Sequence, residues 1–297
     1  MGLNKGVLYA IAAYGMWGFF PLYFKAISQV PPLQILSHRV IWSFVFLAII
    51  VSIRHDWTKL RALATPKVLL TYLVAALLLG VNWFVFIWGV NSGFVVESSL
   101  GYFINPLVNV LLGTIFLRER LKPMQWIPIG LATIGVLYLT LSYGRLPWIA
   151  LSLALTFGLY GLAKKLAPLN ALHGLSLETV ILFVPALAYL LVMEKSGAGA
   201  FGHLGIGMDL AVAVSGILTA LPLLFFAEAA HLIPLTTMGL IQYISPTFQF
   251  LTGVVIFHEP FTEARVIGFS IIWIALILYS ASNLFERWKS RRLAAEA

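Results

Sequence analysis

Apolar residues run through this chain in ten long blocks separated by short polar connectors. A helix needs about 20 mostly apolar residues to cross roughly 30 Å of hydrocarbon. The pattern predicts such spans at about 6–27, 34–53, 68–90, 96–117, 125–142, 147–163, 175–193, 210–230, 236–257 and 265–284. Strand-type alternation of apolar and polar positions is absent from these blocks, which argues against a β-barrel. The expected fold class is therefore an all-α integral membrane protein with ten transmembrane helices.

Polar positions inside the blocks are not scattered. SLGYFINPLVNVLLG at 99–113 and GLIQYISPTFQFLTG at 239–253 each place a proline in mid-run with polar side chains at the same offsets. A shift of 140 positions aligns 100–142 with 240–282 and gives nine identities in 43, Pro106/Pro246, Gly113/Gly253 and Glu119/Glu259 among them. Tyr102, Asn105 and Asn109 fall opposite Gln242, Ser245 and Gln249, and the glycines of GMWG at 15–18 are echoed by GLYG at 158–161. The repeat predicts two five-span units, 5–142 and 145–284, followed by a basic tail, 285–297. Five is odd, so the second unit starts on the opposite side of the membrane. Two such inverted halves around a midplane site are the build of a secondary transporter working by alternating access.

Positions 102, 105, 109 and 113 lie along one side of a helix. Pro106 and Pro246 each remove an amide donor, free a carbonyl one turn earlier, and are expected as helix breaks facing protein or water. The stripes then line a cavity. The same residue types also suit plain interhelical hydrogen bonding, and both readings stay open here.

Composition changes the picture mainly by exclusion. With 297 residues, 61% hydrophobic and 10% charged, and a mean hydropathy of +0.95, the chain has too little polar surface to coat a soluble globule. It contains no cysteine, which excludes disulfides and thiolate metal or iron–sulfur sites. The net charge of +8 does not point to nucleic acid, because all but one of the 19 Lys and Arg lie in connectors and the tail. With a cytoplasmic N-terminus, 14 of them fall on the inside and 4 outside, Arg39 being within a span, so both termini are expected in the cytoplasm. The first apolar block is as long as a full span, and a removable signal peptide is not expected.

The stretches NWFVFIWGVNSGFVVESSLGYFINPL and GLIQYISPT, each followed by a span ending in a glutamate, Glu119 or Glu259, resemble the EamA family of the drug/metabolite transporter superfamily, in particular its RarD-type branch. The resemblance covers about 5–284 as two tandem repeats. It implies a ten-helix carrier of the cytoplasmic (inner) membrane, with a central cavity between halves. It also implies small organic metabolites or amphipathic compounds as substrates, often moved outward, and no cofactor. It supplies no universal set of site residues.

Ionisable groups inside the spans therefore carry the site reading. A charge at the hydrocarbon centre costs about 2.5–3.5 kcal/mol on insertion scales. Arg39, beside His38, sits about six residues into the second span, where its guanidinium either grips an anionic group of a substrate or snorkels to the outer headgroups. Glu178 and Glu228 are candidates for proton coupling, although their shallow positions also suit solvated carboxylates. Trp17, Asn82, Trp83, Tyr102 and Tyr243 complete the cavity candidates, with ordinary packing as the alternative. Glu119 and Glu259 read as structural groups facing helix ends. The histidines show no metal-ligand spacing, and neither a metal site nor an ATP-binding loop is expected. An intramembrane enzyme would need a clustered nucleophile and base; a non-transporting sensor would not need mirrored stripes. The expected partners are a small-molecule substrate and membrane lipid, with the chain as a monomer or homodimer.

Overall fold

The computed structural model describes residues 4–92, 94–121, 123–142, 147–256, 262–264, 266–268, 270–275 and 277–278. Every regular element among them is helical. In chain order these are α1 (Lys5–Gly18), α2 (Phe20–Ala26), α3 (Pro32–Ile53), α4 (Trp57–Leu63), α5 (Pro66–Asn91), α6 (Val95–Phe116), α7 (Pro123–Ser142), α8 (Trp148–Leu166), α9 (Ala171–Lys195), α10 (Ile206–Leu232), α11 (Leu235–Ile241) and α12 (Ile244–Leu251), the last running into a π-helical segment, Thr252–Ile256. Among the described residues seven helical stretches are long and apolar enough to cross a membrane, and a shorter apolar one covers Leu100–Phe116. The basic tail, 285–297, and Glu259 lie outside the described residues.

Local sequence explains where helices begin and end. Asn4 and Asn170 cap α1 and α9, accepting from Gly6 N at 2.9 Å and His173 N at 2.9 Å. Pro32 opens α3, where a missing N–H has no cost. The chain leaves α6 through Arg118 in the left-handed region, φ 54, with Glu119 N bonded to Gly113 O at 3.0 Å. Glu119 then turns back so that a Cβ on Gly113 would lie 2.7 Å from its Oε2, a close approach that glycine permits. Its carboxylate accepts from Leu235 N at 2.8 Å and Thr236 N at 3.0 Å, so the expected helix-end role is filled at the start of α11.

Two expected spans are broken. The first divides at Phe19, between α1 and α2; the ninth divides at Gln242–Tyr243, between α11 and α12. Pro246 lies in the first turn of α12, just past that break, whereas α6 runs through Pro106 without interruption, contrary to the expectation of a break in each stretch.

Helix pairings recur when the chain is shifted by 140 residues, which carries α1, α3, α5 and α6 onto α8, α9, α10 and α11–α12. Thus α1 packs on α10 as α8 packs on α5, α3 on α10 as α9 on α5, and α6 on α8 as α12 on α1, while α3–α9 and α6–α11 pair equivalents with each other. The main core joins α1, α3, α5, α8, α9, α10 and α11 around Tyr14, Leu79, Phe157, Tyr160 and Phe226. Large apolar side chains such as Leu141, Ile53 and Ile206 point outward, as a lipid-facing surface requires.

Close crossings rely on small residues, since apolar attraction alone does not drive helices together in lipid. A Cβ on Gly216 of α10 would run into the Trp42 backbone of α3, and one on Gly239 of α11 would lie 2.7 Å from the Pro106 carbonyl. Gly15 has open space. We expect Gly216→Leu to cost about 1–3 kcal/mol by overpacking or to abolish folding. Gly15→Ala should leave the melting temperature in detergent within experimental error. Equal effects from the two would contradict the tight α3–α10 crossing.

Candidate functional site

Three charged side chains are buried in the spans among the described residues: Arg39, Lys164 and Glu178. Arg39 leaves α3 with only 3% of its surface exposed, donates from Nε to Thr219 Oγ1 on α10 at 2.9 Å, and lies with Cζ 4.5 Å from the Trp83 ring centre, 5.3 Å from Phe24 and 5.6 Å from Phe20. The snorkelling alternative is not what the side chain does. His38, one residue earlier, points elsewhere and packs on Phe201, ring centres 5.0 Å apart.

Glu178 is buried rather than solvated. Lys164 Nζ donates to its Oε1 at 2.8 Å and the Tyr160 hydroxyl to its Oε2 at 3.1 Å. The Tyr72 ring covers the ammonium with its centre 5.3 Å away. Lys164 looks in sequence like one of two basic residues flanking a span, but α8 continues to Leu166. Adjacent residues on a helix do not share a face. Lys165 instead donates to Ile233 O at 2.8 Å, just past α10. The missed signal was that Tyr160 and Lys164, four apart on α8, share a face. Glu228 is half-buried near the end of α10.

A small cavity of about 10 Å³, room for about one water, separates the two charged clusters. Ser43, Trp83, Glu178, Thr179 and Thr219 are among its lining residues, drawn from α3, α5, α9 and α10. The two polar stripes are not its walls. Asn109 Nδ2 donates to Gln242 Oε1 at 2.9 Å and to Asn105 Oδ1 at 3.2 Å, while Asn105 Nδ2 donates to Ala154 O at 2.6 Å. Gln249 Nε2 donates to Trp17 O at 3.2 Å and to Ser245 Oγ at 3.2 Å. Pro21 stands four residues after Trp17 and has no N–H to give that carbonyl, so Gln249 of α12 supplies the donor across the helix break. In this conformation the stripes meet each other and the backbone, and the cavity lies elsewhere.

The remaining candidates divide the same way. Asn82 donates to Leu153 O and Thr156 Oγ1, both at 2.9 Å, holding α5 to α8. Trp17 packs among Tyr14, Phe157 and Phe226. Tyr243 packs on Phe103, and Tyr102 on Phe86. Only Trp83 joins the cavity.

The EamA-like transporter family matches residues 4–141. "Uncharacterized transporter YojE" of Bacillus subtilis is 44% identical over 96% of this chain and 96% of its own length. "Protein RarD" of Streptomyces exfoliatus is 44% identical over 99% of this chain and 94% of its own. The chain belongs to the EamA family. It is a membrane transporter and a multi-pass protein of the inner membrane. The fold also superposes on a solved crystal structure with a TM-score of 0.70 at 16% identity, covering 94% of this chain and 99% of the other.

Removing one member of a buried ion pair leaves an unpaired charge, at about 3–5 kcal/mol, whereas removing both does not. Lys164→Met and Glu178→Gln are each expected to lower the melting temperature in detergent more than the double variant does. Additive losses in the double variant would contradict the pairing. The Asn109–Gln242 bond should show a coupling of about 0.6–2 kcal/mol in an alanine double-mutant cycle.

Proposed function

We propose that the chain is a secondary active transporter of small organic metabolites or amphipathic compounds that exports them across the inner membrane by alternating access. Ten spans form two inverted five-span halves, 5–142 and 145–284, with both termini in the cytoplasm. The observation that carries this reading is the exchange symmetry of the helix pairings: α1–α10 with α5–α8, α3–α10 with α5–α9, and α6–α8 with α1–α12. Two halves that embrace in this reciprocal way can rock about a central site without unfolding. With Arg39 and Lys164 buried in the bundle, the other Lys and Arg divide 13 inside against 4 outside, which supports the orientation.

The substrate site is the chamber between α3, α5, α9 and α10, with Arg39, Trp83 and Thr219 on one side and Glu178, paired to Lys164, on the other. A cavity of about 10 Å³ cannot hold an organic molecule, so in this conformation that chamber is shut. The polar stripes, Asn105 and Asn109 with Gln242, Ser245 and Gln249, latch the helices while it is shut. Proton motive force drives the cycle, with Glu178 or Glu228 carrying the proton, because a carboxylate inside the bundle can change charge where no water screens it.

Two measurements test this. A membrane-impermeant maleimide applied to intact cells should label a cysteine placed at Gly199 and not one placed at Ala297; the native chain has no cysteine to give a background. The opposite pattern would exclude the inverted arrangement. In proteoliposomes, a panel of radiolabelled organic acids, amines and neutral amphipaths should include a compound whose transport depends on a pH gradient. That dependence should be lost in Glu178→Gln or Glu228→Gln. Full dependence in both, and in the double variant, would remove these carboxylates from the coupling step.

A further inference from the structure

We propose that the Arg39 chamber binds a singly charged organic anion with a flat apolar body, aryl carboxylates being the simplest members of the class. The proposal deepens the transporter reading above, on which it rests for the statement that the bound compound is the one carried.

Charge balance comes first. Among the described residues the buried span charges are one guanidinium, one ammonium and one carboxylate. Lys164 and Glu178 neutralise each other at 2.8 Å. Arg39 touches a neutral hydroxyl and three neutral rings, so the described buried side chains leave one positive charge. An uncompensated charge in a low-dielectric interior is costly, and a single negative charge removes the cost. A dianion such as a phosphate monoester would only invert it.

Geometry narrows the class further. Nε of Arg39 is committed to Thr219, while its two terminal nitrogens donate to no described residue. Those nitrogens present the planar fork that a carboxylate meets with two parallel hydrogen bonds. Trp83, Phe24 and Phe20 crowd the guanidinium carbon at 4.5, 5.3 and 5.6 Å, so an anion that reaches the terminal nitrogens holds its body beside the same rings. A flat apolar body stacks there; a hydrated polar one loses its water without replacement.

The repeat supplies an independent argument. A shift of 140 residues carries Phe20, Phe24, His38 and Arg39 onto Tyr160, Lys164, Glu178 and Thr179. In the later set the protein provides cation and anion together, with the Tyr160 hydroxyl as a further donor to the carboxylate. In the earlier set it provides the cation alone. The counter-ion that Glu178 supplies internally at one end is left for a ligand at the other. Trp83 and Thr219, which both touch Arg39, also line the small cavity, so the anion's path opens where the two halves meet.

The test is calorimetric titration of the purified full chain in detergent with benzoate and 1-naphthoate, against benzamide and benzylamine. Both carboxylates should bind, at least tenfold more tightly than the amide or the amine. Arg39→Gln should abolish the carboxylate signal, and Arg39→Lys, which keeps the charge but loses the fork, should weaken it about tenfold. Trp83→Leu should weaken 1-naphthoate more than benzoate; together with Arg39→Lys it carries the test if Arg39→Gln fails to fold. Absence of binding by both carboxylates, equal binding of benzamide, or unchanged binding in Arg39→Lys and Trp83→Leu would each overturn the proposal. Binding is read without transport, so the two readings separate. A chain that moves nothing in proteoliposomes but binds benzoate through Arg39 defeats the carrier reading alone; a carrier of neutral or cationic compounds that ignores benzoate defeats the anion assignment alone.

Discussion

Inside a bilayer, a backbone amide or carbonyl that loses its helical partner has no water to take its place, and much of this bundle is organised by how such groups are answered. Pro21 deprives the Trp17 carbonyl of its donor, and Gln249 reaches across from α12 to supply one. Glu119 answers the first N–H groups of α11, and Lys165 answers the Ile233 carbonyl beyond α10. Gln34 clamps the connector before α10, donating to Ala198 O at 2.7 Å and accepting from Ala200 N at 2.9 Å. Each bond joins elements distant in sequence and fixes their register. Each must also be kept or exchanged as a unit when helices shift, which favours a few discrete arrangements over continuous deformation.

Charges follow the same constraint more strictly, because an unanswered one costs more than an unanswered amide. The bundle resolves this differently at its two charged clusters. At one, α8 and α9 bring Lys164, Tyr160 and Glu178 into a closed set. At the other, α3 places Arg39 against rings from α2 and α5 and a single hydroxyl from α10. Rings attract a guanidinium but do not neutralise it. The difference between a self-sufficient pair and a covered but uncompensated cation gives the centre of the molecule its chemical polarity.

Much of the architecture was legible in the chain because the bilayer imposes length and apolarity locally. Several expected spans agree with single helices to within a few residues, as with 34–53 against Pro32–Ile53 and 175–193 against Ala171–Lys195. The helix-end role of Glu119 was readable for the same reason, since a carboxylate just past one span and before another has few other uses. The roles of the stripes were less so. Asn105, Asn109 and Gln242 lie on the faces their spacing implied, but a helical face does not say whether the surface opposite is water or another helix; here it is another helix.

The chain by itself determined that this is a bundle of membrane-spanning helices with a proline and a polar stripe repeated 140 residues apart, because hydropathy and spacing act along the sequence. Only the tertiary structure decided what those groups do. Pro106 and Pro246 are the same residue in matching stretches, yet α6 runs on and the later span breaks before its proline. Lys164 and Lys165 are neighbours in sequence, yet one pairs with Glu178 and the other with the Ile233 carbonyl. The reason is common to both cases: in hydrocarbon the state of a polar group is set by whichever partner reaches it, and those partners arrive from other helices.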